Sequence, residues 1–532
     1  MKTLIKLSLG MFLVLFFIGC TKNFEEINTN PNQPTEVGTP TLLTAAMKGL
    51  GDDIYDEWWG GRQSMLYAQY WSQRNYTSED RYAIRQNVNN QYFRLIYHDV
   101  ANLMEIIRLN TDPTTKAKAS AYGDNTNQIA VATILKVWAM QIMADTYGDI
   151  PYSDAFKGDA EPTPKYDKLQ DVYASFLTEL KTAVESIDES APGFTSGDVV
   201  YKGDMTEWKK FGNSLRLRVA IRQSATDNYA AAHAIVDEVG TDGLMTSNSD
   251  NAVFQYIGTA PNNSPLYDAY WTSSRNDFTV TKPFITLLKG VDDTLNNKVN
   301  PFHGLVDPRL QIYSRPRKGA YMGIPYGMTD AQTQQYWSKK IAPSFYGAAA
   351  YDVSTAPVIL NAKYPIVFME YAEVEFMLSE LNNWDQDHYI AGVRASIEHW
   401  RDLAITLEGW SADQVTAFNT EYEAYISDLP PASKTTVMTQ KYIAFYDQGY
   451  QAWAEIRRTG EPTFLLKPGE ISNVDASGNP IYFTTLNGLT TIPLRMTYPQ
   501  QEYTVNGASV SAAASAVGGD NMDTKLWWEP GK

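Results

Sequence analysis

Apolar positions along this chain recur mostly at intervals of three and four, the spacing of one helix face. Between Asn125 and Tyr147, the residues Ile129, Thr133, Ile134, Val137, Met140 and Gln141 fall near one side, and Gly148 with Pro151 behind it supplies a stop. The spacing predicts a helix there. A second helix is expected from Thr206, read as its N-cap, to Ser224, with Trp208, Phe211, Leu215 and Val219 on the apolar stripe and Arg218 and Arg222 one turn apart. Tyr364 to Leu381 is apolar on several sides, which predicts a buried helix. After Asn382-Asn383-Trp384, a helical segment from Asp387 to Ala404 follows, so the two form a helical hairpin, the unit of tetratricopeptide-like solenoids. The last long helix is read from Ser433 to Arg458, with Ile443, Tyr446, Tyr450 and Trp453 aligned and Gly460 and Pro462 ending it.

Two stretches break this pattern. Asp242 to Tyr364 and Phe464 to Lys532 are rich in Gly, Pro, Asn, Ser and Thr, with short strand-like pieces such as Val253 to Ile257. Loops of that length are functional or conceal short elements. No break in composition isolates a second folding unit. The expected fold class is mainly α: a single large helical domain over residues 42–532, built on tetratricopeptide-like helix pairs and carrying long loop-rich insertions.

The N-terminus has its own pattern. Lys2 and Lys6 precede a twelve-residue apolar run, Leu7 to Ile18, the charged start and short apolar core of a secretory signal. It is too short to span a bilayer. The run ends in Phe17-Ile18-Gly19-Cys20, which resembles a bacterial lipobox, whose cysteine thiol takes a diacylglyceryl group. Cys20 is the only cysteine among 532 residues, so it has no internal disulfide partner. On this reading residues 1–19 are a lipoprotein signal peptide, and residues 20–41, with their Asn-Pro, Gln-Pro and Thr-Pro steps, are a lipidated tether. Three acyl chains, at about 0.8 kcal/mol per buried methylene, exceed the marginal hold of one myristoyl chain. The other reading is an ordinary signal peptide with Cys20 incidental.

Composition narrows the function. Hydrophobic content of 44% and charged content of 20% fit a globular protein. Forty-four basic against 61 acidic residues give a net charge of -17, and loss of Lys2 and Lys6 with the leader makes it -19. Nucleic acid is not an expected partner. The five histidines form no HExxH or close ligand pair, and Walker A, GxSxG and EF-hand patterns are absent, so neither a metal nor a cofactor is expected. Glycoside hydrolysis needs only two suitably spaced acids, which leaves a surface glycosidase as the enzyme alternative. Glu373 and Glu375, inside an apolar helix, are the acids of interest for it. The plainer reading pairs such an acid with an Arg on a neighbouring helix.

Aromatic residues are the compositional outlier, with 13 Trp, 34 Tyr and 20 Phe. Most such rings serve packing. Rings beside Asn, Gln, Asp and Arg also suit sugar recognition, where ring faces stack on C–H faces and polar groups bond hydroxyls. Two clusters have that composition. The first is Trp58, Trp59, Tyr67, Tyr70, Trp71, Gln73, Arg74, Asn75 and Tyr76. The second is Tyr267, Tyr270, Trp271, Arg275, Asn276 and Asp277, with Tyr326, Trp337 and Tyr346 from a later loop as neighbours. Trp58 and Trp59 are adjacent, so on a helix they diverge by about 100° and at most one faces a given ligand. The ligand-binding candidates are Trp58, Trp71, Asn75, Tyr76, Tyr270, Trp271, Arg275, Asn276, Trp337 and Tyr346, with Trp71 and Trp271 foremost.

Several stretches also match one family in order. They are Asp145-Thr-Tyr-Gly-Asp-Ile-Pro-Tyr-Ser-Asp-Ala-Phe156, Lys209 to Arg222, Asp307-Pro-Arg309, Gln451 to Pro462 and Ile492 to Pro499. With the lipobox and the Asn28-Thr-Asn-Pro-Asn tether, the chain resembles the SusD/RagB family of outer-membrane nutrient-binding lipoproteins, in its SusD-like branch. The resemblance implies a helical fold on tetratricopeptide-like pairs and a lipid anchor in the outer membrane facing the exterior. It also implies a SusC-like TonB-dependent transporter as partner, binding of oligosaccharide, glycoprotein or peptide, and no catalysis. The acidic pair Glu25-Glu26 resembles the short export signal of such lipoproteins. Read physically, the matched motifs are helix ends and core ion pairs, so ligand contacts are expected in the loops instead.

Overall fold

The computed structural model describes residues 37–316, 319–338 and 358–532. Cys20, the leader, most of the tether and Tyr346 lie outside the described residues, and of Trp337 only the backbone is described.

Twelve helices form the frame: α1 (Thr39–Ile54), α2 (Gln86–Thr111), α3 (Asn125–Tyr147), α4 (Leu169–Ser186), α5 (Met205–Arg222) and α6 (Ala230–Val239), then α7 (Asp330–Ser338), α8 (Tyr371–Leu381), α9 (Gln386–Leu403), α10 (Ala412–Ser427), α11 (Lys434–Ala444) and α12 (Gly449–Thr459). Each of α1 to α5 packs on the next, and α8 packs on α9, the serial stacking of helix pairs. The mainly α expectation and the α8–α9 hairpin hold. Among the eight short strands of the described residues, four join distant parts of the frame: β1 (Trp71–Gln73), β2 (Ala252–Phe254), β3 (Phe278–Val280) and β4 (Ile366–Met369). They form two antiparallel pairs, β1 with β3 and β2 with β4.

Local chemistry explains the helix ends. Asp124 caps α3 by accepting from the amides of Thr126 and Asn127, and Gly148 ends it at φ 87°. From Ala130 to Tyr147 every residue but Lys136 is buried, so the helix is enclosed on all sides rather than along one stripe. Its apolar length is that of a core helix.

Three expected boundaries change. Asp204, not Thr206, caps α5, because its carboxylate accepts from the amides of Thr206 and Glu207. The predicted helix from Tyr364 is instead β4 followed by α8, since Ile366 to Met369 pair with β2. The predicted helix from Ser433 to Arg458 is two helices, α11 and α12, broken at Asp447, whose φ is 72°. The break serves packing: a Cβ on Gly449 would lie 2.6 Å from the Met65 backbone nitrogen, so α12 approaches the 64–65 backbone only through a glycine.

Buried ion pairs tie the helices together. Arg218 of α5 holds Glu373 of α8 through two bonds, at 2.8 and 2.5 Å. Arg458 of α12 holds Glu380 of α8 at 2.6 and 2.7 Å, and Glu455 lies within 3.4 Å of Arg222 and 3.1 Å of Lys441. The three cations beside Glu455 hold its carboxyl well below the usual range despite burial.

Candidate functional site

The first aromatic cluster begins where α1 ends. Asp56 accepts a hydrogen bond from the Trp59 amide at 2.6 Å, closing a turn. Gly60 completes it, because a Cβ there would meet the Ile54 carbonyl at 2.7 Å. The turn splits the adjacent tryptophans. Trp59 faces inward and stacks on Tyr92 with ring centroids 3.5 Å apart, whereas Trp58 is 37% exposed. This is the divergence that adjacency on a helical turn requires.

The β1–β3 pairing brings the second cluster to the first, with Trp71 opposite Val280 and Gln73 opposite Phe278. The ladder continues past the strands, since the Arg74 amide donates to the Asp277 carbonyl at 2.7 Å and its guanidinium to the Asn276 carbonyl at 3.0 Å. Asp277 is the hinge of the site. Its Oδ2 accepts from Arg62 Nη2 at 2.8 Å and from Arg275 Nη2 at 2.5 Å. Glu79 lies 3.9 Å from Arg62, and Glu57 lies 3.8 Å from Arg275. Burial raises the Glu57 carboxyl and lowers the Arg62 guanidinium from their ordinary values.

The guanidinium carbons of Arg62 and Arg275 lie 4.6 and 4.9 Å from the Trp58 ring centroid. Both donate to one oxygen of Asp277. Trp58, 37% exposed, thus stands beside fixed, charged hydrogen-bond donors. A third segment closes around it. Gln334 of α7 donates to Asn75, and Asp330 accepts from the Thr77 amide at 2.7 Å, which sets α7, the helix carrying Trp337, against the 74–77 loop.

Burial sorts the remaining candidates. Tyr76 is 65% and Trp271 42% exposed, while Asn75, Arg275 and Asn276 are half-buried. Trp271 is fixed by its Nε1, which donates to the Leu360 carbonyl at 3.2 Å, and by Tyr270, whose ring meets it edge to face at 4.8 Å. Trp71 contradicts its expected role: it is 1% exposed and its Nε1 donates to the Tyr446 hydroxyl at 3.1 Å. It is a core residue because β1 runs inside the molecule. Tyr270 is buried as the support for Trp271, and Tyr67, Tyr70 and Tyr326 are fully enclosed. Sequence reasoning missed Arg62, Glu57 and Glu79. Their only sequence signal was proximity to Trp58, which does not reveal a partner at position 277.

Glu373, the acid weighed for hydrolysis, is 2% exposed and locked to Arg218, the helix-to-helix pairing anticipated for it. The matched motifs are scaffold too. Arg309 pairs with Asp307 at 2.7 Å in the core, and Arg457 lies over the Trp453 ring at 3.9 Å while donating to the Asp145 carbonyl.

Comparison with known proteins adds the family. The family model described as SusD-like, "Starch-binding associating with outer membrane", matches residues 31–499. Among solved structures, a SusD homologue from Parabacteroides distasonis superposes with a TM-score of 0.71 at 23% identity, covering 92% of this chain and 98% of that one. A chitin-binding SusD homologue from Flavobacterium johnsoniae gives 0.67 at 24% identity, with 92% and 98% covered. A protein described as chitin-binding gives 0.69 at 23%, with 92% and 100% covered. No curated protein sequence matches significantly. With the family model spanning most of its length and the helical frame shared with those structures, this chain belongs to the SusD-like family.

Proposed function

We propose that this chain is a lipid-anchored binding protein of the outer membrane that faces the cell exterior, captures oligosaccharide and delivers it to a SusC-like TonB-dependent transporter. Family membership supports the membrane association, and the chitin-binding description of two structural relatives supports a glycan ligand. In this reading residues 1–19 are removed, Cys20 carries the lipid, and the tether ends at residue 38 rather than 41, because Thr39 and Pro40 are already buried in α1, with which the binding domain begins.

One observation carries the glycan assignment. Trp58, 37% exposed, stands beside two guanidiniums held by Asp277, which is the pairing of aromatic surface and fixed hydrogen-bond donors that suits a sugar ring. Tyr76, Asn75, Asn276 and Trp271 extend the surface, and Trp337 and Tyr346 remain candidates from the α7 side. No catalytic residue is assigned, and the protein acts by binding and release.

Titration calorimetry of the purified chain against neutral glycans and peptides tests the reading. It predicts glycan binding that Trp58→Ala removes, with no change in the reducing-end content of the glycan pool. Binding of peptides alone would replace sugar with peptide as the ligand, and new reducing ends would revive a surface glycosidase.

A further inference from the structure

The backbone at Tyr76 is turned to φ 60°, a region that bulky L residues rarely occupy. Among the described residues, the aromatic side chains on such a backbone are Tyr76, Tyr82, Phe156, Tyr229 and Trp384. In all but the first, packing or bonding of the side chain offsets the strain. Tyr82 is fully enclosed, and Phe156 lies against Tyr97 with ring centroids 5.7 Å apart. The Tyr229 hydroxyl donates to Glu380 at 2.7 Å, and Trp384 packs against buried apolar residues. Tyr76 is the exception. It is 65% exposed, and among the described residues no ring stacks on it and no group bonds its hydroxyl.

The conformation is enforced by bonds on both sides of the residue. The Arg74 amide donates to the Asp277 carbonyl at 2.7 Å, and the Thr77 amide donates to Asp330 Oδ1, also at 2.7 Å. Gln334 of α7 donates to Asn75, and the Ser78 amide donates to the Tyr76 carbonyl at 2.8 Å. A strained residue persists only where its surroundings over-determine it, and such residues collect at ligand clamps. Other irregular backbone gathers here too. Two of the three π-helical turns among the described residues border the site: Gly60–Ser64, which carries Arg62, and Asp268–Thr272, which carries Trp271. Asp277 serves both halves, since its carboxylate holds Arg62 and Arg275 beside Trp58 and its carbonyl holds Arg74, two residues before Tyr76.

Resting on the glycan reading above, we propose that Tyr76 is a second stacking platform for the saccharide and that Asp330 is its positioning residue, fixing the 74–77 loop so that the ring stays exposed until a sugar covers it. The backbone strain is then offset by the ligand rather than by the fold. A tyrosine has few side-chain torsions to freeze, so a ring whose backbone is already fixed supplies contact area at low entropic cost. Asp330 acts only through the Thr77 amide.

Calorimetry and denaturant unfolding of the purified full chain test this, with gluco-oligosaccharides and N-acetylglucosamine oligomers as the probes. Asparagine tolerates positive φ, so Tyr76→Asn should unfold at the same or a higher denaturant midpoint than the parent while glycan affinity falls about tenfold. A residue kept for packing would lose stability instead. Tyr76→Phe keeps the ring and should bind within about threefold of the parent. Asp330 is exposed, so its variants are expected to fold. Asp330→Ala should weaken binding about fivefold, and Asp330→Asn, whose amide oxygen still accepts from Thr77, should restore it. On the Tyr76→Asn background, Asp330→Ala should cost nothing further, because the two residues act as one unit.

Unchanged affinity or a lowered midpoint in Tyr76→Asn, or loss of binding in Tyr76→Phe, overturns the stacking platform. Parent-like binding by Asp330→Ala, or additive losses in the double variant, overturns the positioning role. In each of these cases the glycan reading stands on the loss of binding in Trp58→Ala. Binding of no glycan by the unmodified chain overturns both.

Discussion

Arg62 and Asp277 stand 215 residues apart in the chain, and their side chains meet at 2.8 Å, with the Arg62 guanidinium 4.6 Å from the Trp58 ring centroid. Arg62 is 2% exposed and Asp277 is the group that also orients Arg275. One carboxylate thus sets the geometry of two donors. Asp277→Asn should leave both guanidiniums without their shared anion and loosen their register on Trp58. Glycan affinity is expected to fall by an order of magnitude or more, about 1.4 kcal/mol per tenfold. An unchanged Kd would exclude Asp277 as the organiser of the site.

Trp58 and Trp71 should separate binding from folding. Trp71 is enclosed, and its truncation to alanine leaves a cavity worth about 3–5 kcal/mol of stability. Trp58→Ala removes a half-open ring and should shift the unfolding midpoint little while abolishing stacking on the ligand. Denaturant unfolding and calorimetry on both variants check this. The opposite pattern, a stable Trp71→Ala that no longer binds, would return Trp71 to the site.

Glu373→Gln removes one charge from a pair in which both side chains are 2% exposed. The uncompensated Arg218 left behind should cost about 3–5 kcal/mol. The prediction is structural: thermal unfolding moves down, and ligand affinity of the folded fraction stays as it was. Loss of a hydrolytic product on this substitution would contradict the assignment of Glu373 to the core.

Asp447 gives a pH dependence with a definite sign. Burial pushes its carboxyl up to about 8, and it sits at the break between α11 and α12. The unfolded value is near 3.9, so between about pH 4 and 8 the folded state holds a proton that the unfolded state has released. Stability from this group is complete at the acid end and is lost as pH rises through 8, by at most about 1.4 kcal/mol per unit. Asp447→Asn keeps a residue that tolerates positive φ and removes the titration. The variant should therefore gain on the parent as pH rises across that window. Parallel melting curves at every pH would refute it.

How much of this was legible beforehand divides along a physical line. The α3 stop at Gly148, the α8–α9 hairpin and the charge pairing of Glu373 with a neighbouring arginine follow from periodicity, backbone chemistry and the cost of burying an acid. The α11–α12 break was not legible, because helix periodicity passes unbroken through Asp447, and only the approach of Gly449 to the 64–65 backbone demands a change of direction. β4 was hidden for a similar reason: four apolar residues beside a helix read as helix until a partner strand is known. Of the candidate site, both aromatic clusters are legible as composition, yet the rings ranked foremost are not equally available, since Trp271 is exposed and Trp71 is not.

The sequence by itself determined what is encoded locally: the helical frame, the acidic balance and the family to which the ordered motifs belong. Tertiary structure decided which rings meet solvent and which charges meet each other. A tryptophan is equally apolar wherever it stands, so its exposure depends on what covers it. At this site the cover comes from β3 and Asp277, some 200 residues distant in the chain. A contact of that range is set by the packing of the whole frame, and no local pattern records it.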